Sequence, residues 1–234
     1  MQNNRNNLFK FFRDGNLKLY NSKIKTPAYL ELDKYFPDYK ILEENWEEIK
    51  KEIQSVIDSN RTLPKFHDID NGQEYISDND GLSWKLLNLL LYGIWHKKNT
   101  KLCPKTTALL KKMKSVKGAY FSILDRNKHI PPHKGPYKGI IRYQLALSVP
   151  KEGECKIFVD GVPHYWEEGK SVLFDDTYTH EVVNKTKESR VALLLDVKRE
   201  IPGIFMKIYD SFIFRLIQLL VLLNNTFQKS NIKS

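Results

Sequence analysis

From Gly118 onward the hydrophobic period of the chain changes from helical to about two, and this change limits the architecture more than any other feature. Short β-rich segments follow one another at 119–125, 139–149, 156–160, 162–166, 171–174, 180–184 and 190–197, with turn signals such as Asp160-Gly161 and Glu168-Gly169 between them. Seven short strands at such brief intervals predict a sandwich or a barrel.

Side chains alternate across a strand, so each segment divides into two faces. In IIRYQLALSV, Ile141, Tyr143, Leu145, Leu147 and Val149 share one face, and Arg142, Gln144, Ala146 and Ser148 share the other. In RVALLLDV, Val191, Leu193, Leu195 and Val197 stand opposite Arg190, Ala192, Leu194 and Asp196. One face of the first strand is polar in mid-strand. An arginine opening a strongly apolar strand sits at a rim or reaches for an anion.

Upstream the texture is helical. In LEENWEEIKKEIQSVI, Leu42, Trp46, Ile49, Ile53, Val56 and Ile57 recur at spacings of three and four with acids early, which predicts an amphipathic helix over 42–57. Further helices are predicted over 86–95 and 106–114, and the acidic, turn-rich 68–81 reads as an exposed loop. The organisation expected is a basic N-terminal segment (1–25), a helical flank packed on the core (26–115), a mainly β core (116–200) and an apolar, basic C-terminal helical tail (201–234).

With 41% hydrophobic residues the chain has enough apolar material for one sizeable core, which excludes disorder and collagen. Two cysteines, Cys103 and Cys155, give neither a disulfide framework nor a CxxC metal spacing. The N-terminal stretch lacks the apolar core of a secretory signal, so the expectation is an uncleaved cytoplasmic protein. Thirty-eight Lys and Arg against 28 Asp and Glu leave a formal charge of +10, which attracts nucleic acid, a membrane surface or a small polycarboxylate. Nucleic acid is the poorest of these, because no recognition module or interleaved basic-aromatic stripe is present.

Of six histidines, His67, His96, His129 and His164 read as surface or structural residues. His133, in the Pro/Gly-rich HIPPHKGPYKG, which reads as a loop leading into the 139–149 strand, and His180, after FDDTYT, both stand at strand mouths, where two imidazoles can converge on one metal. Two histidines with open positions fit a catalytic centre better than a four-ligand structural zinc site. Spacing alone leaves the pair open between metal ligands and structural histidines.

The stretches FSILDRNKHIPPHKGPYKGIIRYQLALSVP, CKIFVDGVPHYWEEGKSVLFDDTYTHEVVNKT and SRVALLLDVKRE resemble the aspartyl/asparaginyl β-hydroxylase family of iron(II)- and 2-oxoglutarate-dependent dioxygenases. That family includes peptidyl-aspartate hydroxylases and bacterial relatives that hydroxylate lipid acyl chains. The resemblance rests on a proline-flanked His-x-Gly-Pro, an Arg-Tyr strand, a Trp-x-x-Gly turn, Phe-Asp-Asp-x-x-x-His and a distal Arg, in the family's order. It is close over 121–199 and looser upstream, through Phe36-Pro37, Glu44-Asn45-Trp46 and Cys103-Pro104.

The resemblance implies a double-stranded β-helix (jelly-roll, cupin-like) core with helical flanks, iron(II) as cofactor, and 2-oxoglutarate and O2 as cosubstrates. It further implies His133 and His180 as iron ligands, Arg190 on the distal carboxylate of 2-oxoglutarate with Ser122 assisting, and Arg142 near the metal-proximal end of the cosubstrate. Gln144 stands where many members have His, and its amide still donates. Most enzymes of this chemistry carry an acid two residues after the first histidine, where this chain has Gly135. Peptidyl-aspartate hydroxylases share the glycine, whereas some lipid-hydroxylating relatives have Asp. Asp176, four residues before His180, reads either as a carboxylate that orients an imidazole or holds a ligand water, or as a turn-forming Asp.

Substrate class stays open between a lipid acyl chain, slightly preferred because of the tail, and an Asp or Asn side chain in a polypeptide. A rival from another class is a non-enzymatic β-barrel binding module. In the tail, Lys207, Arg215, Lys229 and Lys233 stand against Asp210 around an apolar centre. Its run FIFRLIQLLVLL falls short of the roughly 18–20 residues that cross a bilayer. Peripheral contact of 204–223 with the inner face of a membrane is one expectation, and a helix buried on the barrel or in a dimer is the other.

Overall fold

The computed structural model describes residues 2–59, 61–69 and 74–232, with the side chains of 2–12 excepted. The helical part comprises α1 (Gln2–Lys23), α2 (Leu32–Tyr35), α3 (Tyr39–Glu44), α4 (Trp46–Ile57), α5 (Phe66–Ile69), α6 (Glu74–Ser77) and α7 (Pro104–Lys112). Ten strands interleave with and follow these: β1 (Trp84–Leu91), β2 (Ile94–Trp95), β3 (Val116–Leu124), β4 (His129–His133), β5 (Ile140–Ser148), β6 (Glu154–Val159), β7 (Val162–Tyr165), β8 (Ser171–Phe174), β9 (His180–Lys185) and β10 (Arg190–Lys198). Two more helices, α8 (Ile204–Leu223) and α9 (Thr226–Lys229), close the described chain.

The strands form two antiparallel sheets, one in the order β2-β1-β3-β10-β5-β8 and one in the order β4-β9-β6-β7. They face each other as the expected jelly roll. The alternation read from the sequence sets the layers. Ile141, Tyr143, Leu145 and Leu147 of β5 and Val191, Leu193, Leu195 and Val197 of β10 turn outward, onto Leu42 of α3, Ile49, Ile53 and Val56 of α4, and Leu110 of α7. The opposite faces of the same strands turn inward, toward Ile130, Ile157, Val159 and Val182 of the smaller sheet. The predicted hairpin turn at Asp160-Gly161 joins β6 to β7, with both residues at positive φ (53° and 77°), as a tight two-residue connection requires.

Three local expectations are corrected. The helix predicted over 86–95 is the β1–β2 hairpin, turning at Tyr92-Gly93, again with φ positive at both positions. Leu87 and Leu89 enter the outer core and Trp84 and Leu86 the inner one, so β1 is buried on both faces and reads as a continuous apolar run. The HIPPH segment is strand β4 rather than loop. Its two prolines are tolerated because β4 is an edge strand whose pairing with β9 shifts register between Ile130 and His133. Finally, 68–81 is not simply an exposed loop: residues 70–73 lie outside the described residues, but Ile69, Ile76 and Ser77 are buried, and Asp80 pairs with the buried Lys128.

The four remaining histidines have local partners or a partly buried surface position. His96 is buried, its Nδ1 accepting from the Asn99 amide (3.1 Å) while Nε2 donates to the Phe227 carbonyl (3.1 Å). His129 lies 2.9 Å from Glu181 and His67 3.2 Å from Ser77. Burial pushes the His164 imidazole down.

The tail is two-sided. Met206, Tyr209, Asp210, Ile213, Phe214 and Ile217 of α8 pack against Tyr20 and Ile24 at the end of α1 and its exit, and against Tyr137 and Ile140. The opposite side is open to solvent. Asp210 is buried, and its Oδ1 accepts from the hydroxyls of Tyr20 (2.8 Å) and Tyr137 (2.5 Å). Burial and this carboxylate together push both phenols well above their ordinary pKa. Asp210→Ala strands two buried hydroxyls and opens a void, so it is expected to cost about 3 kcal/mol. Thermal unfolding measures this, and an unchanged melting temperature would show that α8 is held by its apolar side alone.

Candidate active site

Between the sheets lies a cavity whose walls come from both. His133 and His180 occupy directly opposed register positions on β4 and β9, and their ring centroids are 4.1 Å apart. Each imidazole is fixed by a backbone carbonyl two residues earlier: His133 Nδ1 lies 2.8 Å from the Pro131 oxygen and His180 Nδ1 lies 3.0 Å from the Tyr178 oxygen. A carbonyl only accepts, so both Nδ1 atoms carry the proton, and each Nε2 keeps its lone pair. Burial, chiefly, drives His133 down to about 3 and His180 down to about 4, and the neighbouring imidazole adds to the shift at His133. Two neutral, oriented imidazoles therefore stand side by side near neutral pH, in the form that ligates metal. No group of three or more His, Cys, Asp or Glu side chains suited to a metal occurs among the described residues.

Gly135 accounts for the missing third acid. A Cβ at this position would meet the Asp176 carboxyl carbon at 2.5 Å, and the Gly135 amide donates to the Asp176 carbonyl at 2.7 Å. The space beside the first histidine is thus already filled by a carboxylate that arrives from the loop before β9. Gly135→Asp, which writes the usual acid into the sequence, is expected to destabilise the fold by about 3 kcal/mol through steric overlap and a second buried charge. Thermal melting checks this, and a stable variant that binds metal more tightly would overturn it.

Asp176 and Arg142 form a pair across β5 and the β8–β9 loop, with Nη2 3.1 Å from Oδ2. Asp196, directly opposite Arg142 in the β10–β5 register, lies 2.7 Å from Nη1. Burial presses the Arg142 guanidinium down, but the two carboxylates outweigh it and hold the pKa above its ordinary value. Burial likewise raises Asp176 and Asp196 against the pull of Arg142. Arg142 is thus a clamped cation. Asp176 Oδ1 and Gln144 Oε1 have no hydrogen-bond partner among the described residues, and Asp176 and Gln144 both line the cavity.

Arg190 is the opposite case. It is 1% exposed, its guanidinium lies 4.5 Å from the Trp166 ring, and its Nε and Nη1 have no hydrogen-bond partner among the described residues. Burial without a compensating anion pushes it down to about 10. A buried unpaired charge costs several kcal/mol, so this arginine stabilises the protein only when an anion arrives. Ser122, buried on β3, shares the inward face with Arg190 and accepts from Trp84 Nε1 at 2.9 Å, which leaves its own proton free to donate. Phe66 stacks on Trp84 at 4.1 Å, and Ile130, Ile157 and Val182 add to the apolar lining.

All seven residues singled out from the sequence, namely Ser122, His133, Arg142, Gln144, Asp176, His180 and Arg190, line this one cavity. Two that matter to them were missed, Asp196 and Trp84, and Trp166, read only as part of the Trp-x-x-Gly turn, was given no role at the site. Asp196 had a sequence signal, since it shares strand parity with Arg190, but its pairing with Arg142 depends on a register that one sequence does not specify.

The profile described as Aspartyl/Asparaginyl beta-hydroxylase matches residues 43–200. Among curated proteins, an ornithine lipid ester-linked acyl 2-hydroxylase of Rhizobium tropici is 38% identical over 162 residues, covering 69% of this chain and 57% of that protein. The aspartyl/asparaginyl beta-hydroxylase of Mus musculus is 32% identical over 167 residues, covering 68% of this chain and 21% of that protein. Aspartate beta-hydroxylase domain-containing protein 2 of Xenopus tropicalis is 30% identical over 185 residues, covering 74% and 48%. The chain therefore spans from about a fifth to somewhat over half of the length of these relatives. With more than half of its residues matched by one profile, the chain belongs to the aspartyl/asparaginyl β-hydroxylase family.

Proposed function

We propose that this hydroxylase is iron(II)- and 2-oxoglutarate-dependent and oxidises an unactivated C–H bond, with a membrane lipid acyl chain as its favoured substrate. The observation that carries the reading is the pairing of two neutral, carbonyl-oriented imidazoles with a buried, anion-seeking arginine in one cavity. His133 and His180 would hold the metal through Nε2. Iron, once bound with 2-oxoglutarate and O2, would supply the oxidising power, 2-oxoglutarate going to succinate and carbon dioxide and one oxygen atom to the substrate.

The chain's own residues do the rest. Arg190 offers a planar fork to the distal carboxylate of 2-oxoglutarate, and the Ser122 hydroxyl donates beside it. Arg142, braced by Asp196, fixes the Asp176 carboxylate next to His133, where its free oxygen can accept from a ligand water. Gln144 presents its amide from the same strand face as Arg142. Phe66, Trp84, Ile130 and Ile157 keep bulk water from the reacting centre.

Similarity to a lipid acyl hydroxylase and the apolar walls favour an acyl chain. Gly135 favours the second reading, a peptidyl aspartyl/asparaginyl β-hydroxylase. Anaerobic addition of iron(II) and 2-oxoglutarate should give a charge-transfer absorption band, and admission of air should give succinate. Absence of both would leave a non-enzymatic binding module. Mass spectrometry of lipids and proteins from cells with and without the gene then separates the substrates by which class gains one oxygen.

A further inference from the structure

We infer that the solvent-facing side of α8 is a docking surface for an anionic lipid bilayer, on which the helix lies in the plane of the membrane. Ile204, Phe205, Ile208, Phe212, Leu219 and Leu223 are all at least half exposed there, Phe205 at 85%. A contiguous apolar strip of this size on a helix with a packed opposite side marks an interaction surface.

The charges on the helix choose the partner. Lys207, Ser211 and Arg215 recur every fourth residue and form one polar row, with Ile208 and Phe212 beside it lining a shallow groove. The one acid of the helix, Asp210, is turned inward and consumed by two tyrosine hydroxyls. The exposed side therefore offers two cations, one hydroxyl and no carboxylate next to a broad apolar strip, which matches a phosphate headgroup above acyl chains. A second α8 laid on this side would bring the same cations with no carboxylate of its own to meet them. Crossing is excluded as a geometry for this helix, since among the described residues no helix is long and apolar enough to span a membrane.

The buried side of α8 makes the docking useful to the site. Tyr92, Tyr137 and Ile140 line the cavity, and all three pack on α8: Tyr137 through Asp210, and Tyr92 through Phe214 (5.9 Å between rings) and through its carbonyl, which accepts from Gln218 at 2.6 Å. One wall of the cavity thus stands directly on the helix that meets the bilayer. Docking rests on α8 alone; delivery of an acyl chain to the cavity rests in addition on the substrate reading above.

Co-sedimentation of the full chain with vesicles of phosphatidylcholine mixed with phosphatidylglycerol, against phosphatidylcholine alone, tests this. Binding is expected to the anionic vesicles, about tenfold or more weaker for Phe205→Ser combined with Phe212→Ser. Lys207→Glu combined with Arg215→Glu should weaken it by a similar factor and remove its salt dependence. These side chains are exposed, so melting temperature and the iron(II)/2-oxoglutarate absorption band should stay as in the parent. Equal partitioning of parent and variants, equal affinity for neutral vesicles, or a dimer in sedimentation that the Phe212 change dissociates would each overturn the inference. A parent chain that shows the band but does not bind anionic vesicles defeats this proposal and leaves the site reading standing; a parent chain that binds them but shows no band does the reverse.

Discussion

Arg190→Met is expected to raise the half-saturating concentration of 2-oxoglutarate by about a hundredfold or more, while making the ligand-free protein more stable. A bidentate guanidinium–carboxylate contact in a buried site is worth about 3 kcal/mol, which is the stated factor. The opposite sign for stability follows from the same geometry. With no hydrogen-bond partner at Nε or Nη1 among the described residues, the guanidinium is a desolvated charge in the free protein, and an apolar side chain of similar volume removes that penalty. Steady-state kinetics across 2-oxoglutarate concentrations and thermal melting with and without 2-oxoglutarate measure both. The parent should gain melting temperature on adding the cosubstrate, and the variant should not. Arg190→Lys should recover little, because a point charge does not reproduce the fork or the stacking on Trp166. Unchanged kinetics in the Met variant would remove Arg190 from the site.

His180→Ala should weaken iron(II) binding by more than about a hundredfold and abolish turnover. Loss of a group that merely orients a metal ligand costs about 10–100-fold in affinity, and loss of a ligand from a set of two must cost more. No third His, Cys, Asp or Glu among the described residues joins the pair to compensate. His133→Ala should match it, since both rings are held by the same kind of carbonyl contact and face each other across one strand pair. Anaerobic titration with iron(II), followed by the absorption band, reads metal binding separately from catalysis. Parent-like iron affinity in either variant would mean that the imidazoles serve the fold and the metal sits elsewhere.

Much of this site is legible in the sequence because strand parity is a strict code. Arg142 and Gln144, or Arg190 and Leu194, must face one way once their apolar neighbours face the other, and the structure turns them all into one cavity. Parity does not reveal which strands meet. Asp196 was visible as an inward residue on β10, but its contact with Arg142 exists only because β10 pairs with β5 in a particular register. The failure at 86–95 has a different cause. Leucine is a strong helix former, and WKLLNLLL carries apolar residues for both faces of an internal strand, so no period remains to oppose the local propensity. At HIPPH the prolines argue against a strand in general, yet an edge position requires few of the hydrogen bonds they lack. Trp84 escaped notice because aromatic support of a hydroxyl group leaves no spacing signature, and the Trp-x-x-Gly spacing that marks Trp166 does not show that its ring covers Arg190.

The Tyr20–Asp210 hydrogen bond joins residues 190 positions apart. On the ribosome, at about 5–20 residues per second, the hydroxyl of α1 waits on the order of tens of seconds for its acceptor to be made. During that interval Tyr20 and Ile24 have no α8 to cover them. Tyr137 meets the same late carboxylate, so the cavity wall it forms is set only after nearly all of the chain has emerged. A nascent chain stalled before Asp210 would carry both histidines in an unfinished cavity.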